Sequence, residues 1–498
     1  MKDPIKIYDA RWEIDEFNDS EVKRLIEATL GYAQLLGVDT INITRDARLG
    51  CARVMEIAIN TAVDAGFRVY ACFDSISTPQ SYFSTMLTTL EHPNTMGLTV
   101  TASHNPQQYV GIKFTVPTVQ AIGYDCGPLD GLKKIKEIYH SDFKLEKKDG
   151  GELQIITNPT DEYIKYTMDI AKVSDRSLEG LTVVLDTFNG SAGPELMRAL
   201  TQVGVKVIPL RIVPNGYFPT GSPNPTSQNK MDEAVKIAQE KNADVIIGID
   251  GDGDRIVFGD KHGLFNAGFM MIPILKTLLA AEGETSTVKV LYDPKVNPLA
   301  LKKWGELNVE PVLFRNGHSQ IKGHMDKIDA LAGAEESGHF YHNLTLENIS
   351  VKGENSLLTI LLFLDSIKKQ KNILTELREM QNEVFTSGEF NYEFPNDEIR
   401  DSALAALIKH FKNDDTEITS ESVDGIDLEG NVIYKGVKIN KEGITLSDNW
   451  YSGYIRNATN EKGVVRSYIS TPNKEDGEKI VTAVRDILEN QFKGKVIE

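Results

Sequence analysis

Cysteine is scarce: Cys51, Cys72 and Cys126 are the only three in 498 residues. Their number is odd and their spacing fits neither a metal ligand set nor a redox pair. That excludes a disulfide scaffold and leaves free thiols in a reducing compartment. Positive charge is outweighed, with 54 basic residues against 72 acidic ones and a net charge of −18. Nucleic acid and anionic membrane both call for a basic face, so neither is expected as the main partner. An anionic small molecule remains compatible, because a local basic pocket can sit inside an acidic protein. Long apolar runs are also missing. The longest, "LLTILLFL" at 357–364, is too short to span a bilayer and reads as a buried helix. The opening "MKDPIKIYDARWEI" lacks the apolar core of a signal peptide. The expectation is a cytoplasmic protein, monomer or homodimer, with no nucleic-acid or membrane partner.

What is present is ordinary globular composition, 41% hydrophobic and 25% charged, in a chain long enough for three or four domains. Residues 41–73, 181–210 and 288–314 share one pattern: a short apolar strand, a polar turn, a periodic helix and another strand. Each predicts a strand–helix–strand unit with a crossover connection, hence α/β layers. Their recurrence suggests one domain type used three times, the alternative being chance likeness among ordinary α/β units. The end of the chain differs: "NVIYKGVKI" and "VVRSYIS" read as short strands before a last helix, an α+β pattern. Clusters of charge and turn formers near 145–160, 258–265 and 365–376 predict linkers, giving units 1–153, 154–260, 261–370 and 371–498. In open α/β sheets ligands bind beyond the carboxyl ends of the strands, so the residues just after strands carry the information.

"ADVIIGIDGDGDRIVF" (243–258) is the strongest signal. An apolar strand delivers Asp250, Asp252 and Asp254, with Gly251 and Gly253 between them and Arg255 after. Carboxylates so close repel by roughly 1 kcal/mol or more per pair, even under surface-like screening. A hard divalent cation relieves that repulsion, and the glycines let the backbone fold round it. An EF-hand would need Gly and Glu where Arg255 and Lys261 stand. A phosphatase with an aspartate nucleophile would leave Ser103 without a task. A merely solvated acidic turn fits poorly with the apolar run leading into it. The expected ion is Mg²⁺, with three protein oxygens and room for one from a phosphate.

"TASHNPQQYVGIK" (101–113) follows a second apolar run. Ser103 alone is a poor nucleophile, but a phosphoserine beside a divalent ion is a good phosphoryl donor. Lys113 could then move the proton of the exchanging hydroxyl, and His104 could shape the loop or contact the donor group. A serine N-cap or turn is the plainer reading of "SHNP" taken by itself.

"TASHNP" with "GIK", together with "DGDGDR", resembles the α-D-phosphohexomutase superfamily, most nearly its phosphomannomutase/phosphoglucomutase group. The resemblance covers the whole chain, with four motifs in the family's order. It implies four domains around a central cleft, three similar mixed-sheet α/β domains and a smaller C-terminal α+β domain. It also implies that Ser103 is the phosphoserine and a metal ligand beside Asp250, Asp252 and Asp254. Lys113 matches the general base, and Arg255 is grouped with the catalytic residues. "GAEESGH" matches the sugar loop, with Glu335 and Ser337 on ring hydroxyls and His339 near the phosphate oxygens. "RNGHSQIK" supplies His318 to contact substrate and assist proton transfer, and "LYDPK" supplies Lys295 for the sugar phosphate. "IYDAR" places Tyr8 and Arg11 at the site, Arg11 helping to neutralise the transferring group, while "TRDAR" (44–48) looks structural.

The match weakens in "YIRNATNEKG", where the family holds the non-reacting phosphate. Arg456 is kept, and Asn457, Thr459 and Asn460 can donate, but Ala458 stands where a serine is expected. One lost hydroxyl contact costs on the order of 1–3 kcal/mol, enough to alter substrate choice and not reaction class. "VKGENSLL" lacks the Asp-Asp-Gly of many relatives, and the sequence assigns no task to Glu354. The resemblance therefore implies a Mg²⁺-dependent mutase interconverting hexose 1- and 6-phosphates of mannose or glucose, with a hexose 1,6-bisphosphate as intermediate and activator. The alternatives are a phosphoglucosamine mutase and a non-catalytic sugar-phosphate-binding relative.

Overall fold

The computed structural model describes residues 3–124, 126–283, 286–411, 416–419, 437–441, 451–458 and 463–497. Its strands fall into four sheets. The first holds β1 (Ala10–Glu13), β2 (Thr40–Arg45), β3 (Arg68–Ser75), β4 (Thr95–Val100), β5 (Tyr109–Val116), β6 (Gln120–Ala121) and β7 (Glu152–Ile155), ordered β1-β5-β4-β2-β3-β7 with β6 on β5. The second holds β8 (Thr182–Asp186), β9 (Lys206–Leu210), β10 (Val245–Ile249), β11 (Ile256–Asp260) and β12 (Gly263–Phe265), ordered β12-β11-β10-β8-β9. The third holds β13 (Val288–Tyr292), β14 (Val309–Leu313), β15 (Ala332–Ala334), β16 (Phe340–Leu346) and β17 (Ile349–Glu354), ordered β14-β13-β15-β16-β17.

The three expected strand–helix–strand units are all there, each a parallel pair: β2 with β3, β8 with β9, β13 with β14. In every sheet a third strand then joins the first in parallel, β4, β10 or β15. The chain next reverses into an antiparallel return strand, β5, β11 or β16. One mixed-sheet unit is thus used three times. Runs such as "VIIGI" in β10 are buried throughout, as strands covered on both faces must be. The reversal matters for function. The turns between β4 and β5, β10 and β11, and β15 and β16 hold Ser103, Asp250–Arg255 and Glu335–His339 respectively, so the strongest sequence signals occupy the same turn of the same unit.

The second and third units share one hydrophobic core, in which Leu185 and Ile247 join Val290, Phe340 and Leu361. The expected buried helix is Ser356–Lys369, and it packs on the helices Ala267–Glu282 and Thr160–Ala171. Each large aliphatic it buries contributes about 1.5–3 kcal/mol, so this helix ties the two units into one body. The first unit has its own core around Ile41, Leu98 and Ile112.

Two segments differ from expectation. Residues 258–265 do not link units: they are the β11–β12 hairpin, with Gly263 at a φ of 127° closing the turn that "GDKHG" announces. Its turn chemistry is the same in a hairpin as in a linker, so composition alone could not separate them. Residues 373–382 form a helix whose Ile373 and Leu377 enter the core shared by the second and third units. The fourth sheet begins only at β18 (Phe385–Glu393), and continues with β19 (Thr416–Thr419), β20 (Val437–Lys441), β21 (Tyr451–Asn457), β22 (Val464–Thr471) and β23 (Lys495–Ile497). Its order is β19-β20-β21-β22-β18-β23, all antiparallel. The helices Asp397–Phe411 and Lys474–Arg485 cover it, forming a separate small core with Leu404, Val465 and Val484. No helix among the described residues is long and apolar enough to cross a membrane.

Candidate active site

Ser103 is buried and its hydroxyl donates to Asp250 Oδ2 at 3.1 Å, across the boundary between the first and second units. Several features force that approach. Ser103 takes a φ of 51°, a left-handed conformation costly for a side chain, so the surrounding loop must hold it. Arg48 does much of this. Fully buried and ion-paired to Asp46, it donates to the carbonyls of Ser103, Asn105, Pro106 and Tyr109. "TRDAR" therefore has the structural task the sequence suggested. From the other side, a Cβ on Gly251 would sit 2.6 Å from the Ser103 carbonyl, so only glycine lets the acidic loop come this close.

The acidic loop is organised in detail. Asp250 Oδ1 accepts the N–H groups of Gly253, Asp254 and Arg255, which curls the loop around that carboxylate. Asp252 Oδ2 accepts from Thr78 at 2.6 Å, Lys113 at 2.7 Å and Thr101 at 3.2 Å. Asp254 Oδ2 accepts from Lys113. The remaining oxygens, Asp252 Oδ1 and Asp254 Oδ1, are buried with no hydrogen-bond partner among the described residues. The three aspartates offer ligand atoms within 4.8 Å of one another. Orphaned buried carboxylate oxygens are costly unless a cation satisfies them, so this set, with Ser103 Oγ beside it, fits a hard divalent ion. Burial, together with Asp252 and Asp254, pushes the Asp250 carboxyl well above its usual range. Burial opposes charge on Lys113 too, but Asp252 and Asp254 outweigh it and raise its pKa well above the ordinary value. In this arrangement Lys113 is an ammonium bound by two carboxylates.

Arg11 grips Asp9 and donates to Asn105 Oδ1 at 2.7 Å, which joins the first strand to the serine loop. His104 contacts the Ser103 hydroxyl through Nδ1 at 3.2 Å, and burial, Arg255 and Arg11 hold its pKa well below 6.5. His318, at the start of the helix His318–Ile328, is buried with neither ring nitrogen hydrogen-bonded among the described residues. Burial, then Lys322 and Lys113, keep it neutral at ordinary pH. Tyr8 packs edge-on against its ring. His339 lies 6.4 Å from His318, ring centre to ring centre. Its Nε2 accepts from Arg255 Nε at 3.0 Å, so in the neutral ring Nδ1 carries the proton. That nitrogen faces Glu354 Oε1 at 3.4 Å and Asp254 Oδ1 at 3.8 Å, so a second group of buried ligand atoms, Asp254, His339 and Glu354, adjoins the aspartate triad.

Glu335 is held on both oxygens, by Asn316, Gly317 N–H and Tyr341. Ser337 is half-buried on the same turn. Lys295 lies 3.5 Å from Glu389 of β18, and Arg456, next to last in β21, stands opposite Arg466 of β22. Thr459 and Asn460 lie outside the described residues. The structure thus groups Ser103, His104, Lys113, Arg11, the aspartates, Arg255, His318 and His339 tightly. It sets Lys295, Arg456 and Asn457 apart, at the junction of the third and fourth units.

Sequence reasoning missed a buried support. Glu354, given no task above, bonds Lys322 at 2.8 Å, and Lys322 also meets Tyr82. Although burial opposes ionisation, Lys322 and then His339 hold Glu354 down to about 2. The signal was faint but present: Lys322 stands four residues after His318, on the same helix face. Thr78, Thr101, Asn105 and Asn316 gave none, since small polar residues near turns are everywhere.

Comparison with known proteins gives the family and the fold. Residues 4–141, 161–263 and 268–384 match the α/β/α domains I, II and III of phosphoglucomutase/phosphomannomutase. The phosphomannomutase of Escherichia coli is 30% identical over 348 residues, 68% of this chain and 72% of that protein. A protein named "Phosphohexose mutases" from Xanthomonas campestris pv. campestris is 27% identical over 425 residues, 84% of this chain and 88% of that one. Among solved structures, a phosphoglucomutase/phosphomannomutase family protein from Burkholderia thailandensis superposes with a TM-score of 0.78. It is 19% identical and covers 99% of this chain and 98% of its own.

Proposed function

Since the chain belongs to the α-D-phosphohexomutase superfamily and is an intramolecular phosphotransferase of its phosphomannomutase/phosphoglucomutase kind, we propose that it interconverts the 1- and 6-phosphates of mannose or glucose through a phosphoserine at Ser103. One observation carries the reading: the Ser103 hydroxyl lies 3.1 Å from Asp250, inside a cluster of three buried aspartates whose Asp252 Oδ1 and Asp254 Oδ1 find no hydrogen-bond partner among the described residues.

Asp250, Asp252 and Asp254 would hold Mg²⁺ together with an oxygen on Ser103. When bound, the ion neutralises charge on the transferring phosphoryl group. The phosphoryl unit passes from Ser103 Oγ to a free hydroxyl of a hexose phosphate. The P–Oγ bond breaks, a new P–O bond forms, and a hexose 1,6-bisphosphate results. The hydroxyl loses its proton, and Ser103 later recovers a phosphoryl group from the other position. Free hexose 1,6-bisphosphate would prime the serine as activator. Arg11, tied to the serine loop through Asn105, and Arg255, braced by His339, supply positive charge around the moving group. Lys113 would exchange the proton of the substrate hydroxyl: loosened from its two aspartates, it first gives up its own proton, and the neutral amine then takes the hydroxyl's. His318, neutral and with neither ring nitrogen hydrogen-bonded among the described residues, suits a substrate hydroxyl. Glu335 and Ser337 read the ring hydroxyls, and Lys295 and Arg456, with Asn457, Thr459 and Asn460, hold the phosphate that does not react. Tyr8 shapes the wall beside His318.

Intact-mass spectrometry of the protein before and after glucose 1,6-bisphosphate tests the reading. One phosphate on the peptide containing Ser103, and its absence in Ser103→Ala, is expected. Turnover that survives in Ser103→Ala would dismiss the mechanism. Coupled assays with mannose, glucose and glucosamine 1-phosphates rank the sugars.

A further inference from the structure

Where the third and fourth units meet, a carboxylate sits among the cations. Glu389 Oε1 accepts from Arg466 Nη1 at 3.0 Å, and Glu389 Oε2 lies 3.5 Å from Lys295 Nζ. Arg466 stands directly opposite Arg456 on the β21–β22 ladder. One anionic side chain of the fourth unit therefore faces Lys295 of the third and two arginines of its own sheet. The backbone aims it there. Thr386 pairs with Ser470 but Glu389 pairs with Tyr468, so β18 carries one extra residue against β22. Gly388 takes a φ of 68° inside this bulge, and Ser387 Oγ accepts from Ile469 N–H to fix it. Bulges of this kind redirect a side chain. Burial works against ionising Glu389, but Lys295, Arg466 and Arg456 outweigh it and draw its pKa down to about 2. It is nonetheless 35% exposed, so a ligand can reach it, whereas Lys295 is only 12% exposed.

Resting on the reading of Lys295 and Arg456 as phosphate-holding residues, we propose that Glu389 is a resident anion that occupies the distal cation cluster in the ligand-free enzyme and is displaced by the non-reacting phosphate of the substrate. A lysine and two arginines left facing one another repel, and a carboxylate from across the junction relieves this and draws the fourth unit toward the third. A phosphate monoester brings up to two charges and three oxygens to the same cations, so it outcompetes one carboxylate. Singly charged anions and sugars lacking the phosphate do not. Glu389 thus sets the threshold a ligand must exceed, and it trades raw affinity for selectivity toward phosphate esters.

Isothermal titration of the full-length protein with inorganic phosphate at fixed ionic strength tests this. With its competitor gone, Glu389→Gln should bind phosphate roughly tenfold more tightly than wild type. Small-angle scattering of ligand-free Glu389→Gln should show a larger radius of gyration, reversed by phosphate. Unchanged or weaker phosphate binding by Glu389→Gln would overturn the proposal and make the residue a fixed strut or a ligand. Lys295→Met separates the two layers: it should lose phosphate affinity, and if it does not, the phosphate-cradle reading itself fails. Neither measurement needs turnover, so both stand apart from the assignment of the serine chemistry.

Discussion

The serine site and the distal cation cluster are built differently. At the serine end, the first and second units interlock. Asp252 alone accepts from Thr78, Thr101 and Lys113, and Arg48 spans four carbonyls beneath Ser103. At the distal end, the third and fourth units meet through the part-exposed Glu389 on Lys295 and through Asn266 bonding Tyr468. A single ion pair that water reaches on its carboxylate side is worth little, on the order of 1 kcal/mol, while the buried network holds the serine loop in one geometry. Preorganised charge belongs where bonds break. On the proposed mechanism the distal site accepts either phosphate of the intermediate in turn, which calls for the looser end; chemistry would then be fixed at one end and substrate choice adjusted at the other.

The largest test strikes the fixed end. Ser103→Ala should lower kcat by at least about 10⁴-fold, as removal of a nucleophile commonly does, with thermal stability near wild type. Asp252→Asn comes next. It should cost about 10³-fold in kcat, several kcal/mol of transition-state stabilisation. It should also abolish the rise in Tm that Mg²⁺, by mass action, is expected to give the wild type. If Mg²⁺ raises both melting points equally, the ion does not sit on these aspartates.

A third test asks how tightly the interlock is dried. Glu195 is fully buried against the Ser77 hydroxyl at the cap of the helix whose Thr78 holds Asp252, and burial pushes its carboxyl up to about 8. An acid whose folded pKa lies above its unfolded value binds more protons when folded. Its contribution is therefore complete below about pH 4.5, declines as pH rises, and is gone above about pH 8. At roughly 1.4 kcal/mol per unit, this loss is on the order of 3–5 kcal/mol. Glu195→Gln, which mimics the neutral acid, should flatten that slope and be the more stable protein at pH 8. Urea midpoints at pH 5.5 and 8 decide it, and parallel slopes in the two proteins would show that the interface is wet.

The same contrast governs what the sequence could tell. Strand–helix–strand patterning located the repeated units because periodicity of buried residues is a local property, and β2, β8 and β13 all followed from it. The serine and acidic loops were legible because three aspartates after an apolar strand have few cheap explanations. Glu354 with Lys322 was not, since a buried ion pair looks in sequence like two surface charges. The hairpin 258–265 was taken for a linker because hairpins and linkers use the same turn residues. Glu389 gave no signal because its role depends on a bulge and on a partner 94 positions away.

The smallest effect is expected where the family pattern is broken. Ala458 is buried, and its N–H closes the β21–β22 hairpin on the Val464 carbonyl. A serine there would keep that backbone bond and add one hydroxyl beside Arg456. A single hydrogen bond to a charged group contributes about 1.5–3 kcal/mol at best, and less where phosphate already has good partners. Ala458→Ser should accordingly lower KM for hexose phosphates by about three- to tenfold, with kcat unchanged because the reacting end is untouched. A change confined to KM fits a distal end that tunes binding alone. A matching rise in kcat would mean that the two ends are coupled through closure of the fourth unit, and the division between fixed chemistry and adjustable recognition would have to be given up.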